Sequence, residues 1–163
     1  MPDMLVNLYN MPKIDLDARM REDGVVIKRA MLLDKEKVLE FVKTNFSDVC
    51  DGWVYECEKA IFNDPSSCYI AVKGKDILGF ACYDASALGF FGPTGVAPSA
   101  QGKGIGKALL GKCLESMKEK GYGYTIIGYV TDAVAFYERA VNAVVIEDSS
   151  PCKSVYYNLI DAD

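Results

Sequence analysis

The chain has 163 residues, half of them hydrophobic and a quarter charged, which is the composition of a single globular domain. Its 18 basic and 23 acidic side chains leave a net charge of −5, so nucleic acid is not an expected partner. The lack of histidine excludes Ser-His and Cys-His nucleophilic machinery, and with no apolar run of about 18 residues no membrane partner is expected.

The six cysteines, at 50, 57, 68, 82, 113 and 152, include no C-x-x-C pair. Without histidine they make a poor zinc set, so no metal is expected and most read as small core residues. The first residues have neither the basic start nor the apolar stretch of a secretory signal, which makes a reducing cytoplasmic setting the expectation.

Residues 1–23 carry scattered apolar side chains with no firm period and read as an N-terminal extension. Leu5, Leu8 and Tyr9 would dock on the domain or serve a homodimer. Residues 24–163 read as one domain. Val25-Val26-Ile27 after Gly24 predicts a first strand. Asp34 is a candidate N-cap for a helix with Val38, Leu39, Phe41, Val42 and Phe46 at helical spacing. Ser47 or Asp48 opens a second helix that Asn63-Asp64-Pro65 ends. Cys68 to Val72 and Ile77 to Tyr83 predict a hairpin around Lys73-Gly74-Lys75-Asp76. Leu88 to Val96 predicts another strand, with a bulge or break at Gly92-Pro93, since proline cannot donate to a ladder.

A helix over about 104–120 follows, stopped by Gly121 with Lys118 and Lys120 in its last turn. Tyr124 to Val130 predicts a strand, and Asp132 caps a short helix with Phe136 and Tyr137. Val144 to Ile146 and Val155 to Leu159 predict two last, mutually paired strands. The order β-α-α-β-β-β-α-β-α-β-β places the chain in the α/β class with a mixed sheet.

The most informative stretch is GVAPSAQGKGIGKALL, Gly95 to Leu110. Glycines at 102, 104 and 106 let the backbone turn tightly and approach a ligand, and the helix that follows offers free N–H groups and a positive dipole end. Lys103 and Lys107 add local cations. A dinucleotide fingerprint fails, because Lys107 stands where the third glycine belongs. A Walker A reading of GKALLGKC ends on Cys113, which has no hydroxyl for magnesium. The remaining pattern, Q-x-x-G-x-G at Gln101, Gly104 and Gly106 after Val96-Ala97-Pro98, resembles the acyl-CoA motif of the GNAT superfamily of N-acetyltransferases. Ala133 to Arg139 (AVAFYER) is similar to that family's A-x-x-F-Y-E-K segment. Gly89 to Val96, with Cys68 to Ala71 and Gly79 to Asp84, resembles an uncharacterised bacterial subgroup of the same family.

The resemblance covers roughly residues 25–160 and implies the GNAT fold, with acetyl-CoA as cosubstrate and a small-molecule or peptide amine as acceptor. It implies that Gly95 and Val96 receive the pantetheine arm and that Gln101, Gly102, Lys103, Gly104, Ile105, Gly106 and Lys107 cradle the diphosphate. It makes Tyr137 the general acid: an amine attacking the thioester releases a thiolate that needs a proton, and a tyrosine carries one at neutral pH. Two carboxylates, Glu56 and Asp84, stand as alternative bases. The family often has an Asn where Val130-Thr131 lies, and a glycine where Asn142 would turn the chain. A module that binds acyl-CoA without catalysis is the alternative reading.

Overall fold

The computed structural model describes residues 1–149 and 153–161. Among the described residues seven strands form one sheet: β1 (Met4–Asn7), β2 (Val25–Arg29), β3 (Cys68–Lys73), β4 (Asp76–Tyr83), β5 (Phe90–Val96), β6 (Tyr124–Ile127) and β7 (Val144–Val145). Their spatial order is β2-β3-β4-β5-β6-β1-β7, and β5–β6 is the parallel pair in an otherwise antiparallel sheet. The helices are α1 (Asp17–Glu22), α2 (Lys35–Phe46), α3 (Trp53–Phe62), α4 (Ile105–Lys120) and α5 (Val134–Val141). Among the described residues no helix is long and apolar enough to cross a membrane.

Side-chain alternation along β3 and β4 divides the interior in two. Cys68, Ile70, Phe80 and Cys82 point to one face and pack with Val38, Val42 and Phe46 of α2 and Cys57, Ala60 and Ile61 of α3. Tyr69, Ala71, Ala81 and Tyr83 point to the other, where Leu109, Leu110, Cys113, Leu114 and Met117 of α4 cover them. Both faces are buried, which is why these two strands read as near-continuous apolar runs.

Several elements differ from the sequence expectation. Residues 4–7 form a strand inside the sheet, with Met4 and Val6 fully buried and Leu8 packed just beyond. Four residues are too few to show a period, and the strand exists because β6 and β7 hold it on both sides. The second helix begins at Trp53 and not at Ser47 or Asp48. The intervening turn is held by Val49 and Cys50 amides on the Phe46 carbonyl, and the Ser47 hydroxyl turns back to the Lys43 carbonyl at 2.7 Å. β6 ends at Ile127 because Tyr129 takes φ +56° and donates its N–H to Asp3 Oδ1 at 2.9 Å. Val144–Val145 pairs with β1, while Val155–Asn158 is a short 3-10 helix and not its partner strand. With β1 already beside β7, the C-terminal segment lays Tyr156 against Phe90 and Tyr129 instead. Cys152 lies outside the described residues.

Other expectations match. Residues 91–94 of β5 oppose 81–83 of β4, so the Gly92-Pro93 site is a bulge of one extra residue. Asn142 sits at φ +54° and closes α5 with its N–H on the Glu138 carbonyl, doing the work of a C-terminal glycine.

Candidate active site

The parallel strands β5 and β6 stay together only at Phe90–Ile126 and Phe91–Ile127. Beyond that point β6 turns away, while β5 continues through Thr94, Gly95 and Val96 along β4. Beyond Phe91 that edge of β5 has no strand partner among the described residues and opens into a cleft. Gly95 is required by packing: a Cβ there would meet the Phe46 ring at 2.6 Å.

The chain leaves this edge through a single 3-10 turn, Pro98–Ala100, and reaches the glycine bend. Gly102 and Gly104 adopt φ +78° and +84°, the left-handed region that side chains strain. Gly104 is the N-cap of α4 and supplies no side-chain cap, and no acidic residue stands in the first turn. The Ala108 amide is the first to find a helical partner, on the Gly104 carbonyl. The amides before it have no helical partner and stand at the positive end of a 16-residue helix. Gln101 reaches back and donates to the Val96 carbonyl at 3.3 Å.

Tyr137 comes to the same place from α5. Phe91, Thr94, Gly95, Val96, Gln101, Gly106, Leu110, Ala133, Phe136 and Tyr137 line one cavity of about 520 Å³. Tyr137 is 7% exposed and held edge-on by Phe91 and Phe136, at ring separations of 6.3 and 5.1 Å. Its hydroxyl makes no hydrogen bond among the described residues, and burial pushes the phenol up to about 12. The strand edge at Gly95 and Val96, Gln101 and Gly106 of the bend and the Tyr137 phenol thus share one cavity, while Gly102, Lys103, Gly104, Ile105 and Lys107 are not in its lining and Ile105 packs into the core.

The family model for the acetyltransferase (GNAT) family matches residues 35–142. The chain belongs to the GNAT family. Solved structures carry the same fold. A glucosamine N-acetyltransferase region of a fungal multi-domain β-N-acetylglucosaminidase superposes with TM-score 0.71 at 15% identity, covering 89% of this chain and 19% of that one. A GNAT from Sphaerobacter thermophilus gives 0.67 at 22%, with 89% and 48% covered. A GNAT from Brucella melitensis in complex with acetyl-CoA gives 0.56 at 16%, with 75% and 86% covered. This chain spans about a fifth and about half of the first two. No curated protein matches it significantly.

Within the GNAT frame the two carboxylates occupy different positions, and neither lines the cavity. Asp84 is 1% exposed at φ +52°. Its carboxylate binds Lys120 at 2.8 Å and accepts the Tyr122 hydroxyl at 2.9 Å and the Gly89 amide at 2.7 Å. Burial pushes this carboxyl up, but Lys120, Gly89 and Tyr122 outweigh it and hold it below the usual range. Asp84 is therefore a staple between the β4–β5 loop and the end of α4. Its depressed pKa contributes stability above the ordinary carboxylate range, and that stability is lost as pH falls through the native value. Asp84→Asn is expected to cost about 2 kcal/mol in urea unfolding at neutral pH, and the difference from wild type should shrink in acid.

Glu56 is half-buried near the start of α3 and accepts a short hydrogen bond from Ser86. Burial pushes its carboxyl up, and Ser86 offsets this only in part. Tyr156 lies beside the pair; burial pushes its phenol up to about 12, with Ser86 and Glu56 both acting on it. Phe90 faces Tyr156 while Phe91 faces Tyr137, so these adjacent residues of β5 separate two clusters on opposite faces of the sheet.

One residue was missed by the sequence reading. Arg19 of α1 places a guanidinium nitrogen 3.8 Å from where a Gly104 Cβ would be, beside Leu16 and Met20. Met20 is buried, and Lys112 of α4 binds Asp17 at 3.2 Å, so α1 is anchored along α4. Arg19, Lys103 and Lys107 give the bend three cations in an acidic protein. No local pattern links Arg19 to a loop 85 positions later.

Proposed function

We propose that this chain moves an acetyl group from acetyl-CoA to a primary amine, of a small molecule or a peptide, by direct attack in a ternary complex. The observation that carries the reading is the single cavity shared by the free edge of β5, the glycine bend and Tyr137. Gly95 and Val96 would take the pantetheine arm as an added strand. The amides from Gly102 to Lys107, with the side chains of Lys103 and Lys107, would hold the diphosphate. Acetyl-CoA supplies the activated acyl group. Tyr137 holds the proton that the departing sulfur needs. Glu56, on the opposite face, takes the proton of the incoming amine directly or through a water, and Asp84 is left to its structural role.

Acetyl-CoA offered with a panel of amines, read as free thiol released, tests this. Turnover with at least one amine is expected. The position of Glu56 outside the Tyr137 cavity favours a second reading, a module that binds acyl-CoA without turning it over. Tight binding with no thiol release across the panel would establish that one.

Two further results are expected. Arg19→Ala should weaken acetyl-CoA binding by about tenfold, or ~1.4 kcal/mol, with the difference shrinking at high salt in calorimetry. Glu56→Gln should remove the acidic limb of the kcat/KM profile. In the wild type that limb lies above the ordinary carboxylate range, because burial raises Glu56.

A further inference from the structure

Three cysteines that acetyl transfer does not use converge in the core between α3 and the sheet. Cys68 and Cys82 are directly opposed on β3 and β4, and Cys57 of α3 covers them. All three are fully buried, and their sulfurs lie within 4.8 Å of one another, with Cys57 and Cys68 at 3.8 Å. An atom centred in a triangle of such edges (edge divided by √3) would sit about 2.2 to 2.8 Å from each sulfur, against about 2.3 Å for a thiolate–zinc bond.

Charge decides what fits there. The charges acting on these thiols come from Glu58 and from other cysteines, and no cation is among them. Zinc or copper(I) held by three thiolates would leave net negative charge in an apolar core, which is costly. A trivalent centre bound to three thiolates is neutral. We propose that Cys57, Cys68 and Cys82 form a buried three-thiol site for a thiophilic trivalent metalloid, taken up as arsenite. Arsenous acid and three thiols give a trithioarsenite and three waters. Three As–O bonds break and three As–S bonds form, each thiol proton leaves with a hydroxide, and no oxidation state changes. Burial makes uptake depend on local opening of α3, so it is slow.

The test uses the full chain with Cys50→Ser and Cys152→Ser, reduced and incubated with sodium arsenite. Expected are one arsenic per chain by intact mass, loss of three of the four remaining titratable thiols, and unchanged acetyl-CoA affinity. Cys57→Ala, Cys68→Ala and Cys82→Ala should each weaken arsenite binding at least ~100-fold, and if one variant does not fold the other two carry the comparison. The proposal is overturned by no adduct after prolonged incubation, by an adduct holding fewer than three thiols, by one that survives the alanine variants, or by zinc binding as tightly as arsenite.

Discussion

Replacing Tyr137 with Phe is expected to lower kcat for acetyl transfer by ~10²–10⁴ while leaving the Kd for acetyl-CoA unchanged. The substitution is clean for a structural reason. The ring keeps its edge contacts with Phe91 and Phe136, and the hydroxyl surrenders no hydrogen bond among the described residues. Stability should therefore change by less than about 0.5 kcal/mol, as for a substitution that disturbs no buried partner. With a native value of about 12 the phenol is a weak acid. Against a reference thiol near ~8.5, proton transfer is uphill by roughly 3.5 units, or about 5 kcal/mol. Burial lowers that gap in the loaded cavity, because a thiolate formed beside Tyr137 is desolvated as well. The high value also means that Tyr137 stays protonated throughout the working range, so no alkaline limb belonging to it is expected below about pH 11. A Tyr137→Phe enzyme with wild-type turnover would remove the tyrosine from the chemistry and return the acid role to solvent.

Gly106→Leu is expected to weaken acetyl-CoA binding by at least ~100-fold, close to 3 kcal/mol, with no loss of thermal stability. Gly106 lies in the first turn of α4, where the backbone is helical and a Cβ would meet only Val96 at an ordinary 3.6 Å. The helix accepts a side chain there and gains roughly 0.5–1 kcal/mol from losing a glycine. The same side chain would project into the cavity that Gly106 lines and would screen the first-turn amides. Its neighbours are poorer probes. Gly104 sits at φ +84°, so any side chain strains the bend, and a Cβ on Gly95 would strike Phe46 in the core. Calorimetry beside a melting curve reads the result. Full affinity in a folded Gly106→Leu protein would show that the diphosphate is not held at this bend.

The glycine bend and α4 were legible because their signals are local. The bend needs left-handed backbone at Gly102 and Gly104, and Gly121 ends the helix, as its αL conformation shows. The β3–β4 hairpin and the bulge at Gly92-Pro93 follow from turn chemistry and from a missing donor within a few positions. Tyr137 was named through resemblance, and the fold then brought it to the bend. The different surroundings of Glu56 and Asp84 were not legible. What separates them is Lys120 and Tyr122, 36 and 38 positions from Asp84, and Ser86, 30 positions from Glu56. Arg19 and the three core thiols were hidden in the same way, since each depends on which helix lies over which strand.

The chain's own residues dictated its class, its longest helix and the glycine bend before it, because backbone conformation and periodicity act over one or two turns. Tertiary structure decided the rest. Residues 4–7 became an inner strand by pairing with 124–127 and 144–145. That occupied the place beside β7 and left the C-terminal segment to pack Tyr156 near Glu56 and Ser86. The parting of β5 from β6 opened the cavity. Such outcomes are competitions between distant segments for the same hydrogen bonds and the same buried surface, and no short window of sequence contains both competitors.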